Sequence, residues 1–407
     1  MSSKWCSFPF KGVLTENDGT FNTCCHGKTA IDYSTGIPMT RETHSIKEVF
    51  DSEYFERIRQ NLLNGIEDPN CNYCWELERQ GVESLRQTNN SLLQHEERRD
   101  TNPRIEILDL SLGNQCNLKC RTCVPEDSSL WVDEYHATDY TGDLSLKDYQ
   151  KKIIFLETEE SKFVKDIKHS LNNVRLIKFF GGEPFMMKRT WDIIHEAVSI
   201  GRDKYIELYF NTNGTFWEEN RTALFENFEK VNIALSIDGV GDRFEYMRHP
   251  AKWNVVEENI KKISAWSKLK PNRELFLTHT VSAYNIWYVN EAVELARSYG
   301  LKLYINPCLL ESDSFAVRYI PLDVKSVVDK HLMSFDYTDS ELSEIKKLVD
   351  YTPIGSDWKD WLTECETRDK YRNESFKDTF PEYYQVLVKM EKINDTSIQR
   401  RSQNNNS

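Results

Sequence analysis

Beyond residue 100 the chain alternates short apolar runs with longer segments of helical spacing. Strand-like runs fall at Ile105 to Leu112, Val174 to Phe180, Tyr205 to Phe210, Val231 to Ile237, Glu274 to Val281 and Leu301 to Ile305. Their length and their β-branched and aromatic content suit buried strands. Between them, Trp191 to Ser199, Arg221 to Phe228, Val255 to Trp266 and Ile286 to Tyr299 carry apolar residues at helical intervals, and Gly300 stands where the last of these helices must end. Strands alternating with helices predict an α/β fold built on a parallel sheet. The connection from Cys123 to Val174 is long for a plain loop, and Leu144 to Leu171 predicts one or two helices inside it. After Pro321 the pattern turns helical, at Val324 to Met333, Ser340 to Val349 and Trp358 to Met390. Four parts follow: a cysteine-bearing module at 1–95, joined through the polar stretch Gln87 to Thr101; the alternating core at 96–320; a helical extension at 321–395; and a disordered tail at 396–407, ending in Gln403 to Ser407.

Composition narrows the class. With 407 residues, of which 39% are hydrophobic, the chain can build more than one core. No run approaches the roughly 18 apolar residues of a spanning helix, and Met1 to Cys6 opens no signal segment, so no membrane is expected and the cytoplasm is the expected compartment. A formal charge of −13 argues against general nucleic-acid binding, which needs clustered cations. Lys261, Lys262, Lys268 and Lys270, like Arg98 and Arg99, read as solvated faces. The ten cysteines, several at metal-ligand spacings, read as thiolates in a reducing compartment.

The densest chemistry is the run Cys116-Asn117-Leu118-Lys119-Cys120-Arg121-Thr122-Cys123. Thiolates suit iron–sulfur clusters or zinc, and a structural site normally closes with four. Three local ligands leave one position for a chelating small molecule. This C-x3-C-x2-C triplet resembles that of the radical SAM superfamily, and four later segments resemble the family's order of motifs: Gly181-Gly182-Glu183-Pro184, Asn211-Thr212-Asn213-Gly214, Ser236-Ile237-Asp238-Gly239, and Thr280-Val281-Ser282 with Asn285. The resemblance implies a partial (β/α)6 TIM-like barrel with its site at the C-terminal strand ends. It also implies a [4Fe-4S] cluster on Cys116, Cys120 and Cys123, and S-adenosylmethionine held by Gly181, Gly182, Glu183, Asn213, Ser236 and Asp238. Thr122 departs from the aromatic that relatives usually carry there.

A second set, Cys6, Cys24, Cys71 and Cys74, with Gly19 between the first two, resembles the auxiliary-cluster domains called SPASM and twitch, here placed before the core. Cys25 is an alternative to Cys24, His26 a further ligand, and zinc the alternative occupant on thiolate chemistry alone. Several residues have plain structural readings beside chemical ones: Cys308 at the end of the sixth strand, His279 on the fifth, His195 on a helix, the thiol of Cys365, and Arg248 as a salt-bridge partner. No proton acceptor is assigned.

The resemblance implies reductive cleavage of S-adenosylmethionine to a 5′-deoxyadenosyl radical that takes hydrogen from a substrate. The expected substrate is a peptide or protein side chain, with the auxiliary cluster as electron acceptor and a flavodoxin or ferredoxin as reductant. The alternatives are a nucleotide or small-molecule substrate, or a non-catalytic iron–sulfur or zinc protein.

Overall fold

The computed structural model describes residues 4–79, 83–92, 101–138, 145–148, 162–308, 315–349 and 359–389. The tail and half of the expected helical segment Leu144 to Leu171, at 144 and 149–161, lie outside the described residues; its end forms the Lys162–Ser170 helix.

All six expected strands form. They are β5 (Ile107–Ser111), β6 (Leu176–Phe180), β7 (Glu207–Thr212), β8 (Lys230–Ser236), β9 (Arg273–Val281) and β10 (Lys302–Pro307), preceded by β1 (Gly12–Thr15), β2 (Phe21–Asn22) and the small ribbon β3 (Ile31–Asp32) and β4 (Ile37–Pro38). One eight-stranded sheet runs in the order β10-β9-β8-β7-β6-β5-β1-β2. Every pairing from β1 through β10 in that sheet is parallel, and β2 alone runs antiparallel, against β1. This is the mostly parallel α/β architecture that the alternation predicts. The cysteine-bearing module adds its own strand to the core sheet, because β1 pairs with β5 from Gly12 opposite Ile107 to Thr15 opposite Leu110.

Register divides the sheet into two faces. Leu108 and Leu110, Ile177 and Phe179, Leu208 and Phe210, and Val231, Ile233 and Leu235 lie side by side on one face, each almost wholly buried. Trp191, Ile194 and Ala197 of the Lys188–Ser199 helix, and Val256, Ile260 and Ile263 of the Trp253–Ser267 helix, join the same core. Removal of this apolar surface from water, roughly 25 cal/mol per Å², is what closes helices onto sheet. The opposite face is polar: Asp109, Lys178, Tyr209, Asn232 and Glu274 form one row across β5 to β9.

The helices match the expectations at Lys188–Ser199, Trp253–Ser267 and Val289–Tyr299, the last stopped by Gly300 at φ 66°. The expected helix Arg221 to Phe228 is instead a short helix, Glu219–Thr222, running into a 3-10 turn, Ala223–Phe225. Phe225 of that turn is buried against the rings of Trp191, Phe210 and Trp266, so packing on the core overrides the helical spacing there. The C-terminal extension forms Leu322–Leu332, Asp339–Val349 and Lys359–Arg372, and builds a second core with Tyr246, Tyr284 and Ile305. Among the described residues no helix is long and apolar enough to cross a membrane.

Candidate functional site

The cysteine run leaves the C-terminal end of β5 and is fixed by its own backbone. Lys119 N–H donates to the His249 carbonyl at 2.7 Å and Arg121 N–H to the Met247 carbonyl at 2.8 Å, while Trp131 Nε1 donates to the Cys120 carbonyl at 3.1 Å. The sulfurs face N–H donors. Leu118 N–H lies 3.4 Å and Asn213 Nδ2 3.9 Å from Cys116 Sγ, and Arg248 Nη1 lies 3.8 Å from Cys120 Sγ. Burial pushes the Cys116 thiol up to about 12, reinforced by Cys120; burial likewise raises Cys120, and raises Cys123 with help from Asp127 and the other two thiols.

No three His, Cys, Asp or Glu side chains among the described residues are already drawn to metal-binding distance of one another. The donor chemistry nonetheless fits a cluster. Three soft ligands on one loop are close enough to oppose one another's ionisation, and N–H groups already point at two of the sulfurs, as they do where thiolates carry iron.

The Gly181-Gly182-Glu183 turn closes on this loop from β6. Both glycines hold positive φ, 72° and 47°. Gly182 N–H donates to the Asp127 carbonyl at 3.1 Å and Glu183 N–H to the Gln115 carbonyl at 2.9 Å, which ties the turn directly to the residue before Cys116. The Glu183 carboxylate is wholly buried and accepts from Asn213 N–H at 2.8 Å, Thr212 Oγ1 at 2.7 Å and Phe185 N–H at 3.1 Å. It thus braces the β6 and β7 loops, and its own acidity is weakened by burial. Asn213 Nδ2 also reaches Asn117 Oδ1 at 3.0 Å, so Cys116, Glu183 and Asn213 form one connected corner.

Asp238 forms a second corner at the end of β8. One carboxylate oxygen accepts Thr280 N–H at 2.9 Å and the other pairs with Arg248 Nη2 at 2.7 Å. Asn285 Nδ2 donates to the carbonyls of Asp238 and Thr280, both at 2.9 Å, and its Oδ1 receives Ser282 N–H at 2.8 Å. Arg248 therefore joins Asp238 to Cys120, while Ser236 closes the polar face of β8 opposite Thr278.

The N-terminal thiols are gathered by Asn70. Its Oδ1 accepts Lys28 N–H at 2.7 Å and its Nδ2 donates to Thr23 Oγ1 at 2.8 Å, so the segments bearing Cys24 and Cys71 meet. Burial raises Cys6 far above the usual thiol range, with Cys24, Cys71 and Cys74 all adding to it; Cys24 rises to about 11 and Cys71 to about 12, mainly by burial. Cys25 is exposed, and the ionisable groups it feels beyond Cys24 are Asp109, Lys178 and Glu16 of the polar face and its rim. Cys24 is partly buried and, like Cys71, packs against the core cluster that contains Cys6. His26 stacks on Tyr73 at 4.3 Å between ring centres.

Of the remaining residues, His279 is wholly buried, with Nδ1 at 2.5 Å from the Ile237 carbonyl and acidity increased by burial. His195 is exposed on its helix. Cys308 carries backbone pairing to Val281 and Val317, and Cys365 packs 3.3 Å from the Tyr246 hydroxyl. Sequence reasoning passed over the row on the polar face. There Lys178 Nζ lies 3.8 Å from Asp109 Oδ2 and over the rings of Phe8 and Tyr209, and burial raises Asp109 to about 6. It also passed over Asn17, which bonds Asp127 at 2.8 Å and Ser111 beneath Gly181. The only signal for the row was polar residues at alternate places in otherwise apolar runs.

Residues 110–267 match the sequence model of the radical SAM superfamily. Those residues, less than half of the chain, are what is similar to the superfamily. That match contains the cysteine triplet, the Gly181-Gly182-Glu183 turn, Asn213, Ser236, Asp238 and Arg248. A GTP 3',8-cyclase of Syntrophomonas wolfei is 28% identical over 201 residues, 48% of this chain and 53% of that protein. Another, of Synechocystis, is 27% identical over 159 residues, 39% of this chain and 41% of that protein. The chain therefore spans about half the length of the first relative and less of the second. Among solved structures, anSMEcpe with bound AdoMet aligns over 57% of this chain and 58% of its own, at 17% identity and a TM-score of 0.40. The two corners described above meet the cysteine loop through Asn213 at Cys116 and Arg248 at Cys120.

Proposed function

We propose that the chain is a radical SAM enzyme acting on a nucleotide or a related small molecule, with a [4Fe-4S] cluster on Cys116, Cys120 and Cys123 and an auxiliary cluster on Cys6, Cys24, Cys71 and Cys74 of residues 1–95. The observation that carries the reading is that one matched segment holds the triplet and every expected S-adenosylmethionine residue. The substrate class departs from the peptide or protein side chain that the auxiliary-cluster resemblance suggests, because the sequence relatives are named as nucleotide cyclases. A polar sheet face carrying Lys178, Asp109, Tyr209 and Asn232 suits a substrate rich in hydrogen-bonding groups.

When bound, the cluster and S-adenosylmethionine supply one-electron cleavage and a 5′-deoxyadenosyl radical. The chain's residues supply position. Gly181 and Gly182 let backbone approach the cofactor, Glu183 locks that turn to the Asn213 loop, and Asp238 is aimed by Thr280 and Arg248. Arg248 and Asn213 present N–H groups to sulfur, and the buried side chains of Leu118 and Arg121 anchor the loop that carries the half-buried cysteines.

The test is anaerobic reconstitution with iron and sulfide, then 5′-deoxyadenosine formation from S-adenosylmethionine and a strong reductant, with nucleoside triphosphates or peptides added. Faster formation with a nucleotide, and protection of the protein against heat by the same nucleotide, is the expected result. Stimulation by peptides alone would overturn the substrate class, and a fully loaded protein that forms no deoxyadenosine would overturn the activity.

A further inference from the structure

The C-terminal extension reaches the cysteine loop through buried charge. Arg121, between the second and third cysteines, is wholly buried; its Nη2 bonds Asp369 at 2.5 Å and Glu374 at 2.6 Å, and its guanidinium lies 3.7 Å from the centre of the Tyr246 ring. Arg368 Nη1 donates to the Arg121 carbonyl at 2.9 Å. Arg372, at the end of the same Lys359–Arg372 helix, pairs through Nε with both carboxylate oxygens of Glu134, at 2.9 and 3.0 Å, and neither side chain is exposed at all. Glu134 is shared with Lys119, 2.6 Å away, from inside the cysteine run. Arg368 and Arg372 both lie over Trp131, whose Nε1 holds the Cys120 carbonyl.

These cations are not fully used by the protein. Arg372 Nη1 and Nη2, Arg121 Nε and Nη1, and Arg248 Nε are buried and make no hydrogen bond. Leaving charged N–H groups buried and unpaired is costly unless an anion lies close by. Arg248 and Arg372 both stand against the loop at Cys120, Arg248 with Nη1 3.8 Å from its sulfur and Arg372 over Trp131, which holds its carbonyl.

We propose that Arg372 is a positioning residue of the initiation site: the helix of the C-terminal extension delivers its charge beneath the cysteine loop, where it favours the reduced, more negative state of the cluster, and Glu134 moderates that charge. The inference rests on the cluster-binding reading of Cys116, Cys120 and Cys123. Adding an electron to a cluster makes it more anionic, so a nearby fixed cation favours reduction and a nearby carboxylate opposes it. One unit charge at roughly 10 Å, in a medium of effective dielectric about 20, changes such an equilibrium on the order of tenfold.

The experiment is anaerobic redox titration of the reconstituted full chain, followed by the electron paramagnetic resonance signal that changes on adding S-adenosylmethionine and is missing in Cys120→Ala. Arg372→Met is expected to lower the reduced-to-oxidised ratio at fixed potential about tenfold with iron content unchanged. Arg372→Lys, which keeps the charge, should stay within about twofold of the wild type, and Glu134→Gln should raise the ratio. Equal shifts in the Lys and Met variants, or an unshifted Met variant, would overturn the proposal. Should Arg372→Met not fold, Glu134→Gln decides: a raised ratio supports the proposal and an unchanged or lowered one overturns it. Failure of the underlying reading is separate, since the wild type would then show no such signal.

Discussion

Substituting Gly182 by Ala tests how tightly the glycine turn and the cysteine loop are locked together. Gly182 sits at φ 47°, a left-handed conformation that costs an L side chain about 1–2 kcal/mol. A Cβ there would press into the Gln115 carbonyl oxygen, lie 2.6 Å from Met187 Cε and 3.0 Å from the Gln115 carbonyl carbon. Met187 can swing aside. Gln115 is backbone, held by Glu183 N–H and followed directly by Cys116, so its shift must move the first ligand. Overpacking of that kind adds about 1–3 kcal/mol, for a total near 2–5 kcal/mol. Gly300→Ala is the reference, because Gly300 has φ 66° with nothing within 4 Å of the added Cβ and therefore bears the conformational cost alone. The assay is denaturant unfolding followed by tryptophan fluorescence, with the stability difference taken from midpoints at matched slope. The Gly182 variant should lose clearly more stability than the Gly300 variant and take up iron more slowly. Equal midpoint shifts in the two variants would refute the steric argument.

Cys24→Ser is expected to lower the metal bound by the N-terminal module, whereas Cys25→Ser should leave it unchanged, as read by iron and zinc counts; Cys24 and Cys71 pack against the core cluster that contains Cys6, while Cys25 is exposed. Cys120→Ala should abolish deoxyadenosine formation, and Cys71→Ala should leave part of it while stopping substrate turnover, so equal loss of both in a folded Cys71 variant would contradict separate roles. Glu16, lifted from 4.5 to about 7 by burial and by Asp127, Asp18 and Asp109, gives a pH signature. Between those values the folded chain keeps a proton that the unfolded chain has released, so stability falls as pH rises through the window, and Glu16→Gln should flatten that part of the unfolding midpoint profile.

The strands from β5 to β10 were legible because each falls in a short run rich in apolar, β-branched and aromatic residues, and the triplet because thiolates at that spacing have few uses. Strand β1 was not. Its four residues Gly12–Thr15 are too short to show a period, and their place in the sheet comes from pairing with β5, 95 residues away in sequence. Glu183 was legible by motif, but its three donors, on Thr212, Asn213 and Phe185, became visible only once β6 and β7 lay side by side. The expected helix at Arg221 to Phe228 shows the reverse case, in which apolar spacing was present and the packing of Phe225 on the core decided the local geometry. Least legible of all was the contribution of the C-terminal extension, since Arg121 and its two carboxylates are 248 and 253 residues apart and Asp369 and Glu374 sit in a segment with no distinctive motif.

That separation is itself testable by coupling. Asp369 and Glu374 both bond the same nitrogen of Arg121, so either carboxylate can neutralise the buried guanidinium while the other is removed. Asp369→Asn should cost more than its ion pair alone, because Asp369 also accepts the Tyr246 hydroxyl at 2.8 Å and Phe376 N–H at 2.6 Å. Glu374→Gln should be milder, its second partner being His249 at 2.6 Å. The double variant leaves a wholly buried cation without a counter-charge, a state worth about 3–5 kcal/mol, so its loss should exceed the sum of the singles. A double-mutant cycle on unfolding midpoints reads this directly. Additive losses would mean that Arg121 is neutralised from elsewhere, and that the helix at 359–372 lies against the cysteine loop without being needed to hold it.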